Sequence, residues 1–419
     1  SDKNQMTILG RIVKGSAVIL IATVISAISE YAYQVSMAHF LSPSIFGILS
    51  VSLSVFWIAT VILTSGVKIS MAKFIAEDTN DERVASYLLN GVLTQLILAA
   101  AFIIILLLVS LFVLPATKYS DLAMPLALVS LILIPYLFFD ISGATLQGLE
   151  RMKELGSIMS LERSVKLIAA ILLVFLGYEL LGALFAIFFS SFIAALFGFL
   201  MLRRYIFTSR FEPNKEIMKK ILLFSIPTAM ITIFFTVLLR SDVILLKFLL
   251  PQATANIEVG YYTGSAVLAR LIFYFSSAVP IALLPVVSSM HEKKGFALEN
   301  AKKFIPLIVA IFAIINLLYV FFGYDLVEIF FPSAYLKSAY VLPYLAFGIS
   351  ILSIDNIIAA ILIGMGKPKV VVEALGVGLA VYLGLVFMLV PEYGIIGTAW
   401  GMIVSSILVS FILVIGSKT

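Results

Sequence analysis

Hydrophobic residues run along this chain in long, nearly unbroken segments that are separated by short polar stretches. The segments lie at about 12–40, 44–67, 84–113, 122–147, 155–177, 180–202, 221–248, 259–288, 304–323, 339–363, 370–390 and 394–416. A helix of about 20 apolar residues crosses a bilayer, whereas the strands of a membrane barrel form shorter segments of alternating polarity. The pattern therefore predicts an all-α integral membrane protein with about twelve transmembrane helices.

The composition is typical of a membrane protein and argues against disulfides and metal sites. Of 419 residues, 62% are hydrophobic and only 12% are charged, far from the balance of a soluble domain. The net charge of +5 comes from basic residues between apolar segments, so no nucleic-acid partner is expected. Because the chain has no cysteine and only two histidines, we expect no disulfide, no metal site built from these residues and no cofactor.

The positions of Lys and Arg predict the orientation of the chain. With the N-terminus on the cytoplasmic side, 21 of the 28 basic residues fall in cytoplasmic segments and 3 on the opposite side. Basic residues concentrate on the cytoplasmic side of membrane proteins. We therefore expect a multi-pass protein of the cell membrane with both termini in the cytoplasm. The remaining four basic residues lie inside spans, at Arg163, Lys166, Arg240 and Arg270.

The second half of the chain repeats features of the first half. The spacing between matching residues is 208 at the prolines, 213 at the glycines and 215 at the deep acids, with the pairs Pro43 and Pro251, Gly47 and Gly260, and Asp140 and Asp355. A duplication of about 210 residues explains these matches. We expect two six-helix domains, residues 1–210 and 211–419, inserted in the same sense and related by a pseudo-two-fold axis along the membrane normal.

The short loops argue against an enzyme. Membrane enzymes need ordered segments outside the bilayer that carry acid, base or metal-binding groups. The chain contains no D-x-D pair and no Ser, His and Asp set with suitable spacing. The sequence therefore predicts a protein without catalytic residues.

Three stretches carry a resemblance to a known family. They are AHFLSPSIFGILSVSLS (Ala38 to Ser54), ATLQGLERMKEL (Ala144 to Leu155), and RSDVILLKFLLP with the segments that follow it (Arg240 to Glu292). In these stretches and in its span pattern, the chain resembles the polysaccharide-biosynthesis or Wzx-type flippases of the multidrug/oligosaccharidyl-lipid/polysaccharide (MOP) exporter superfamily. The resemblance implies two bundles in a V, as in MATE transporters, that move lipid-linked sugar precursors by alternating access. These families often have about fourteen spans, whereas this sequence predicts twelve.

The in-span cations are candidates for binding the phosphate of such a substrate. A guanidinium can hold a phosphate through two parallel hydrogen bonds, and we expect this role first for Arg270, near the middle of its span, and also for Arg240, Arg163 and Lys166. The alternatives are a structural ion pair for Arg270 and side chains that reach towards the membrane surface for the others. Loss of Arg270 weakens substrate binding in the first case and stability in the second.

Deeply placed acids are candidates for a coupling-ion site. A carboxylate inside a span can exchange a proton, and a small cage of oxygen atoms can hold sodium. The candidates are Glu30 with Gln34 one turn away, Asp140, Asp242 and Asp355. The alternative is that these acids only hold neighbouring helices together.

Two functions remain open from the sequence. The first is a flippase for a polyprenyl- or dolichyl-(di)phosphate-linked oligosaccharide, which acts as a monomer in contact with membrane lipids and uses H⁺ or Na⁺. The second is a proton- or sodium-coupled exporter of drugs or metabolites with the same fold. The family motifs favour the flippase.

The orientation can be tested with cysteines introduced into this cysteine-free chain. Because Ser120 and Ser333 lie in predicted outer loops and Ser209 lies between the halves, an impermeant thiol reagent is expected to label the first two from outside. Cysteine at Ser209 is expected to react only after the membrane is opened. Labelling of that position in sealed cells would reverse the orientation.

Overall fold

The computed structural model describes residues 2–208, 212–276 and 294–418, and side chains within 21–207, 212–226, 229–276 and 305–417. These residues form twelve α-helices and no strand. The helices are α1 (Asp2–Phe40), α2 (Pro43–Glu77), α3 (Asp81–Leu108), α4 (Ala123–Gly148), α5 (Met152–Leu173), α6 (Glu179–Thr208), α7 (Lys215–Leu249), α8 (Gln252–Ser276), α9 (Lys294–Phe330), α10 (Leu342–Gly364), α11 (Pro368–Tyr393) and α12 (Ile396–Lys418). The predicted all-α class is confirmed.

The lengths and hydropathy of the helices fit a membrane protein. Nine segments in the described part of the chain are long and apolar enough to cross a bilayer, and one of them, Met152–Phe207, contains both α5 and α6. In two others, Asp81–Ala116 and Ile305–Phe330, only 11% of the most apolar window is buried. Exposed apolar surface on this scale is what lipid covers, so these helices present most of their surface to the membrane.

The observed helices extend beyond several predicted boundaries. α1 begins at Asp2 rather than near residue 12, and α2 continues to Glu77 rather than ending near residue 67. Lys68 and Lys73, which the apolar pattern places in a loop, therefore lie within α2. Residues 277–288 of the eighth predicted span, the end of the third family stretch and Ser209 lie outside the described residues.

The chain forms two compact units. Unit 1 contains Ser1–Phe40 and Val55–Thr232, and unit 2 contains Leu41–Ser54 and Ile233–Thr419. α2 thus begins in unit 2 and continues in unit 1, whereas α7 begins in unit 1 and continues in unit 2. The predicted domain boundary at residue 210 describes the sequence duplication and stays a prediction.

Each unit is held together by a few extensive helix contacts. In unit 1, α5 packs against α1 and α6, and α6 also packs against α4. In unit 2, α12 packs against α10 and α11, while α10 also contacts α8. The contact of α1 with α5 positions Glu30, Arg163 and Lys166.

Within unit 2, α2 and α8 cross at two glycines. A Cβ added to Gly47 would collide with the backbone oxygen of Asn256, and one added to Gly260 would collide with that of Pro43. The same spacing of 213 residues relates Gly47 to Gly260 and Pro43 to Asn256. The two contacts are therefore reciprocal, with each glycine lying against the backbone of the other helix.

The crossing predicts unequal effects of glycine substitutions. Because the colliding atoms belong to the backbone, Gly47→Ala and Gly260→Ala are each expected to lower the free energy of unfolding by about 1–3 kcal/mol, as overpacking does. Gly384→Ala in α11 is the control, since no atom lies within 4 Å of its added Cβ. Thermal unfolding in one detergent measures all three variants, and equal melting temperatures for Gly47→Ala and Gly384→Ala would contradict the close crossing.

Candidate functional site

The largest group of predicted site residues meets where α1 packs against α5 in unit 1. Arg163 and Lys166 are three residues apart and lie on the same face of α5. Arg163 Nη1 donates to Glu30 Oε2 over 2.8 Å, and Lys166 Nζ donates to the same oxygen. One carboxylate oxygen of α1 therefore holds two cations of α5.

A second acid, Glu162, completes this cluster. Its Oε2 lies 3.0 Å from Arg163 Nε, and its Oε1 accepts a hydrogen bond of 3.4 Å from Ser190 Oγ of α6. The four charges of Glu30, Glu162, Arg163 and Lys166 sum to zero when all are ionised. We refer to these four residues as the α1–α5 cluster.

The members of the α1–α5 cluster differ in their exposure. The side chain of Lys166 is 2% exposed, while those of Arg163 and Glu30 are 18% and 16% exposed. Lys166 thus lies inside the unit and does not extend to a membrane surface. A ligand entering the cluster would meet Arg163 and Glu30 first.

Aromatic rings fix the two cations in place. The guanidinium carbon of Arg163 lies 5.0 Å from the centre of the Trp57 ring, and Lys166 Nζ lies 4.9 Å from the centre of the Tyr33 ring. Tyr33 in turn donates a hydrogen bond to the carbonyl of Ala183 over 3.2 Å. Contacts of this kind contribute about 0.5–2 kcal/mol each and restrict the orientation of both cations.

Gln34 lies one turn from Glu30 on α1, as the sequence predicts. Its side chain is buried, and its amide oxygen has no hydrogen-bond partner within the part of the chain that the structure describes. A buried acceptor of this kind is costly unless a donor reaches it. Gln34 therefore offers an acceptor beside the α1–α5 cluster.

Asp140 of α4 has a partner that the sequence did not suggest. Lys68 Nζ of α2 donates to Asp140 Oδ1 over 2.8 Å. Asp140 is buried, whereas the Lys68 side chain is 41% exposed. Lys68 was missed because it stands just beyond the apolar segment of α2, where a lysine normally indicates a loop.

In unit 2, Asp242 of α7 and Arg270 of α8 form a buried ion pair. Arg270 Nη2 lies 2.7 Å from Oδ1 and 2.6 Å from Oδ2 of Asp242. The Tyr262 hydroxyl also donates to Oδ2 over 2.7 Å, and the two charged side chains are only 5% and 2% exposed. The structure therefore brings together one predicted anion-binding residue and one predicted coupling residue.

The two remaining predicted residues each contact a hydroxyl group. Arg240 donates to the Tyr274 hydroxyl and lies on a different face of α7 from Asp242, as the 200° between positions i and i+2 requires. Asp355 is fully buried in α10 and accepts a hydrogen bond from Ser410 of α12. Asp140 and Asp355 are repeat mates, yet one is held by an ammonium group and the other by a hydroxyl.

Sequence reasoning missed Glu162, Lys68 and Tyr262 as members of these sites. Glu162 had a signal, since it stands four residues before Lys166 on one helix face. Tyr262 had none, because a tyrosine in an apolar segment is common. No group of three or more His, Cys, Asp or Glu residues that could hold a metal ion occurs in the described parts of the chain.

Comparison with known proteins places the chain in a family. The profile of the polysaccharide biosynthesis protein family matches residues 12–291, two thirds of the chain. The chain is also 27% identical to the uncharacterized membrane protein MJ1375 of Methanocaldococcus jannaschii, across 95% of this chain and 96% of that protein.

Solved structures give the same fold. The lipid II flippase MurJ in an inward closed conformation superimposes with a TM-score of 0.75 at 15% identity, covering 97% of this chain and 88% of MurJ. An inward-facing multidrug resistance MATE transporter of the MOP superfamily gives 0.73 at 16% identity, covering 96% and 97%. A MOP superfamily transporter from Pyrococcus furiosus gives 0.70 at 18% identity, covering 97% and 95%.

These likenesses establish the fold, and the profile match establishes the family. The twelve described helices, their apolar surfaces and the paired charges inside them are consistent with both. The chain belongs to the polysaccharide biosynthesis protein family and has the fold of MOP superfamily transporters.

Proposed function

We propose that this protein is a flippase that moves a polyprenyl- or dolichyl-(di)phosphate-linked oligosaccharide from the cytoplasmic to the outer leaflet. The observation that carries the proposal is the convergence of Arg163 and Lys166 in a partly exposed site of a polysaccharide biosynthesis family member. The protein acts as a monomer in the cell membrane, with both termini in the cytoplasm. Its product feeds the assembly of surface polysaccharide or glycans.

The chemistry of the substrate supports this site. A diphosphate headgroup carries negative charge that hydrocarbon excludes, so its passage needs positive groups in close proximity. Arg163 offers a planar fork of N–H donors, and Lys166 one turn away adds a compact charge. Trp57, which lies against Arg163, provides an apolar surface of the kind on which a sugar or an isoprenoid chain packs.

The geometry favours different roles for the other two cations. Arg270 already has a carboxylate on its guanidinium and is almost fully buried, which supports the structural alternative for this residue. Arg240 contacts the Tyr274 hydroxyl within unit 2, so it stays a separate candidate for a phosphate contact. We therefore assign the first contact with phosphate to Arg163 and Lys166.

Among the acids, Glu30 is the best candidate for coupling to H⁺. It contacts both proposed substrate-binding cations and is 16% exposed, whereas Glu162, which also contacts Arg163, is 1% exposed. Asp140, Asp242 and Asp355 are held by Lys68, Arg270 and Ser410 respectively, and we assign them secondary roles in ion coupling. Gln34 supports Glu30 from the adjacent turn.

The substrate site is tested by removing one charge of α5. Arg163→Gln is expected to weaken binding of a short-chain isoprenyl diphosphoryl sugar by about 10- to 100-fold, because a charge-assisted hydrogen bond contributes about 1.5–3 kcal/mol. Arg163→Lys should restore part of the affinity. Arg151→Gln is the control, since this arginine also lies beside α5 but pairs with Glu154.

Binding and vesicle transport of the same probe decide between the two functions. Loss of transport in Arg163→Gln with normal transport in Arg151→Gln supports the flippase. If wild-type protein does not bind or transport the anionic probe and exports an organic cation, the protein is an exporter rather than a flippase.

The role of Arg270 is tested separately, because the two alternatives predict opposite outcomes. If the buried pair is structural, Arg270→Ala leaves Asp242 uncompensated and destabilises the protein by about 3–5 kcal/mol. The double variant Asp242→Asn with Arg270→Gln should recover part of this loss. Thermal unfolding measures both, and a stable Arg270→Ala protein that no longer binds the diphosphoryl probe would restore Arg270 as the anion-binding residue.

A further inference from the structure

In the α1–α5 cluster, Glu30 occupies the position that an anionic substrate would take. Its Oε2 accepts from Arg163 and from Lys166, the same donors that a phosphate oxygen would use. A substrate anion and an ionised Glu30 therefore compete for one pair of cations. The competition ends when Glu30 carries a proton, because a neutral carboxyl group no longer balances either charge.

We propose that Glu30 takes up a proton as the anionic headgroup binds, so that proton and substrate occupy the α1–α5 cluster together. This inference rests on the proposed function, because it requires an anion at Arg163 and Lys166. It adds the sign of the coupling: the proton helps the anion to bind rather than displacing it. An exchange mechanism, in which the proton drives the substrate off, predicts the opposite sign.

The step balances in charge and atoms. A proton from water adds to a carboxylate oxygen of Glu30, and the ion pairs of that oxygen with Arg163 and Lys166 are broken. The cluster changes from a net charge of zero to +1. The anion then supplies the acceptor oxygens that the two cations have lost.

Because the α1–α5 cluster is largely buried, proton uptake by Glu30 and binding of the anion are strongly coupled. Lys166 is 2% exposed, and Glu162 still faces Arg163 at 3.0 Å. If Glu30 is protonated while no anion is bound, the buried positive charge is less well compensated. If the anion binds Arg163 and Lys166 while Glu30 is still ionised, two negative charges lie side by side. Both singly occupied states are therefore disfavoured relative to the empty and doubly occupied states, so the two ligands bind with positive cooperativity and their coupling free energy is negative.

Several other groups act on the same carboxylate and belong to the coupling. The Tyr33 ring of α1 lies against Lys166, and the Tyr136 ring of α4 packs edge-on against Trp57, which contacts Arg163. Among the described residues, the charged and titratable groups around Glu30 and its partners include Arg163, Lys166 and Glu162 of α5, Tyr33 of α1, Tyr136 and Asp140 of α4, and Lys68 of α2, which pairs with Asp140. The tyrosines are neutral in the physiological range, and Glu30 is the partly exposed carboxylate of the α1–α5 cluster, so it is the group that a proton from water reaches first.

The test is the pH dependence of anion binding. The probe is a short-chain isoprenyl diphosphoryl sugar, whose esterified phosphates do not titrate near neutral pH. In wild-type protein its affinity should rise as the pH falls, by at most tenfold per pH unit for one linked proton. Glu30→Gln fixes the group in a neutral form and should bind the probe at neutral pH as tightly as wild type does at low pH, with little pH dependence.

The number of protons taken up on binding is a second measurement, and it can be made on wild-type protein. Calorimetric titration of wild-type protein in two buffers of different ionisation enthalpy should show about one proton taken up per probe bound in the linked pH range. Glu154→Gln, an acid-to-amide change on the same helix at a residue that pairs with Arg151, should keep the wild-type proton uptake and pH dependence.

The outcomes separate the inference from the proposed function. If neither wild type nor Glu30→Gln binds the anionic probe at any pH, the anion site itself is wrong and the proposed function falls with it. If both bind the probe but wild type takes up no proton and shows no pH dependence, the anion site stands and the coupling is wrong. Release of a proton on binding would also overturn the coupling, since it has the opposite sign.

Discussion

The need to compensate charge inside an apolar environment organises both units of this protein. An ionised side chain in a membrane span is unfavourable by about 2.5–3.5 kcal/mol on insertion scales, and each deep cation of α5 and α8 contacts a carboxylate. Arg163 and Lys166 share Glu30, and Arg270 is held by Asp242. These pairs join α1 to α5 and α7 to α8, so the placement of charge also specifies which helices adjoin.

The two halves of the chain compensate their buried charges with residues at different positions of the repeat. A spacing of 208 residues relates Gln34 to Asp242 and Glu30 to Leu238, while a spacing of 213 relates Trp57 to Arg270. The acid has therefore moved by one turn between the copies, and the cation comes from α5 in one and α8 in the other. The result is a nearly sealed pair in unit 2 and a partly exposed cluster in unit 1, which is why the proposed substrate site lies in unit 1.

The candidate site was only partly predictable. The sequence identified Glu30, Arg163 and Lys166 as costly residues inside spans, but it assigned Glu30 to an ion and the cations to the substrate without showing that they touch. It favoured Arg270 for the anion because this residue lies far from either surface. That depth equally suits a buried pair, and the presence of Asp242 at 2.6 Å depends on how α7 packs against α8.

The sequence by itself determined the all-α membrane class, because long apolar segments in a membrane leave the helix as the simplest way to satisfy every backbone hydrogen bond, and it also predicted the duplication. The reciprocal contacts of Gly47 and Gly260 with backbone atoms also follow that duplication. Only the tertiary structure decided which charges meet, since an acid and a base over a hundred residues apart, such as Glu30 and Arg163, become neighbours through helix packing. The hydropathy of one helix indicates that a charge is buried. Which residue pairs with that charge depends on which faces of the neighbouring helices pack against it.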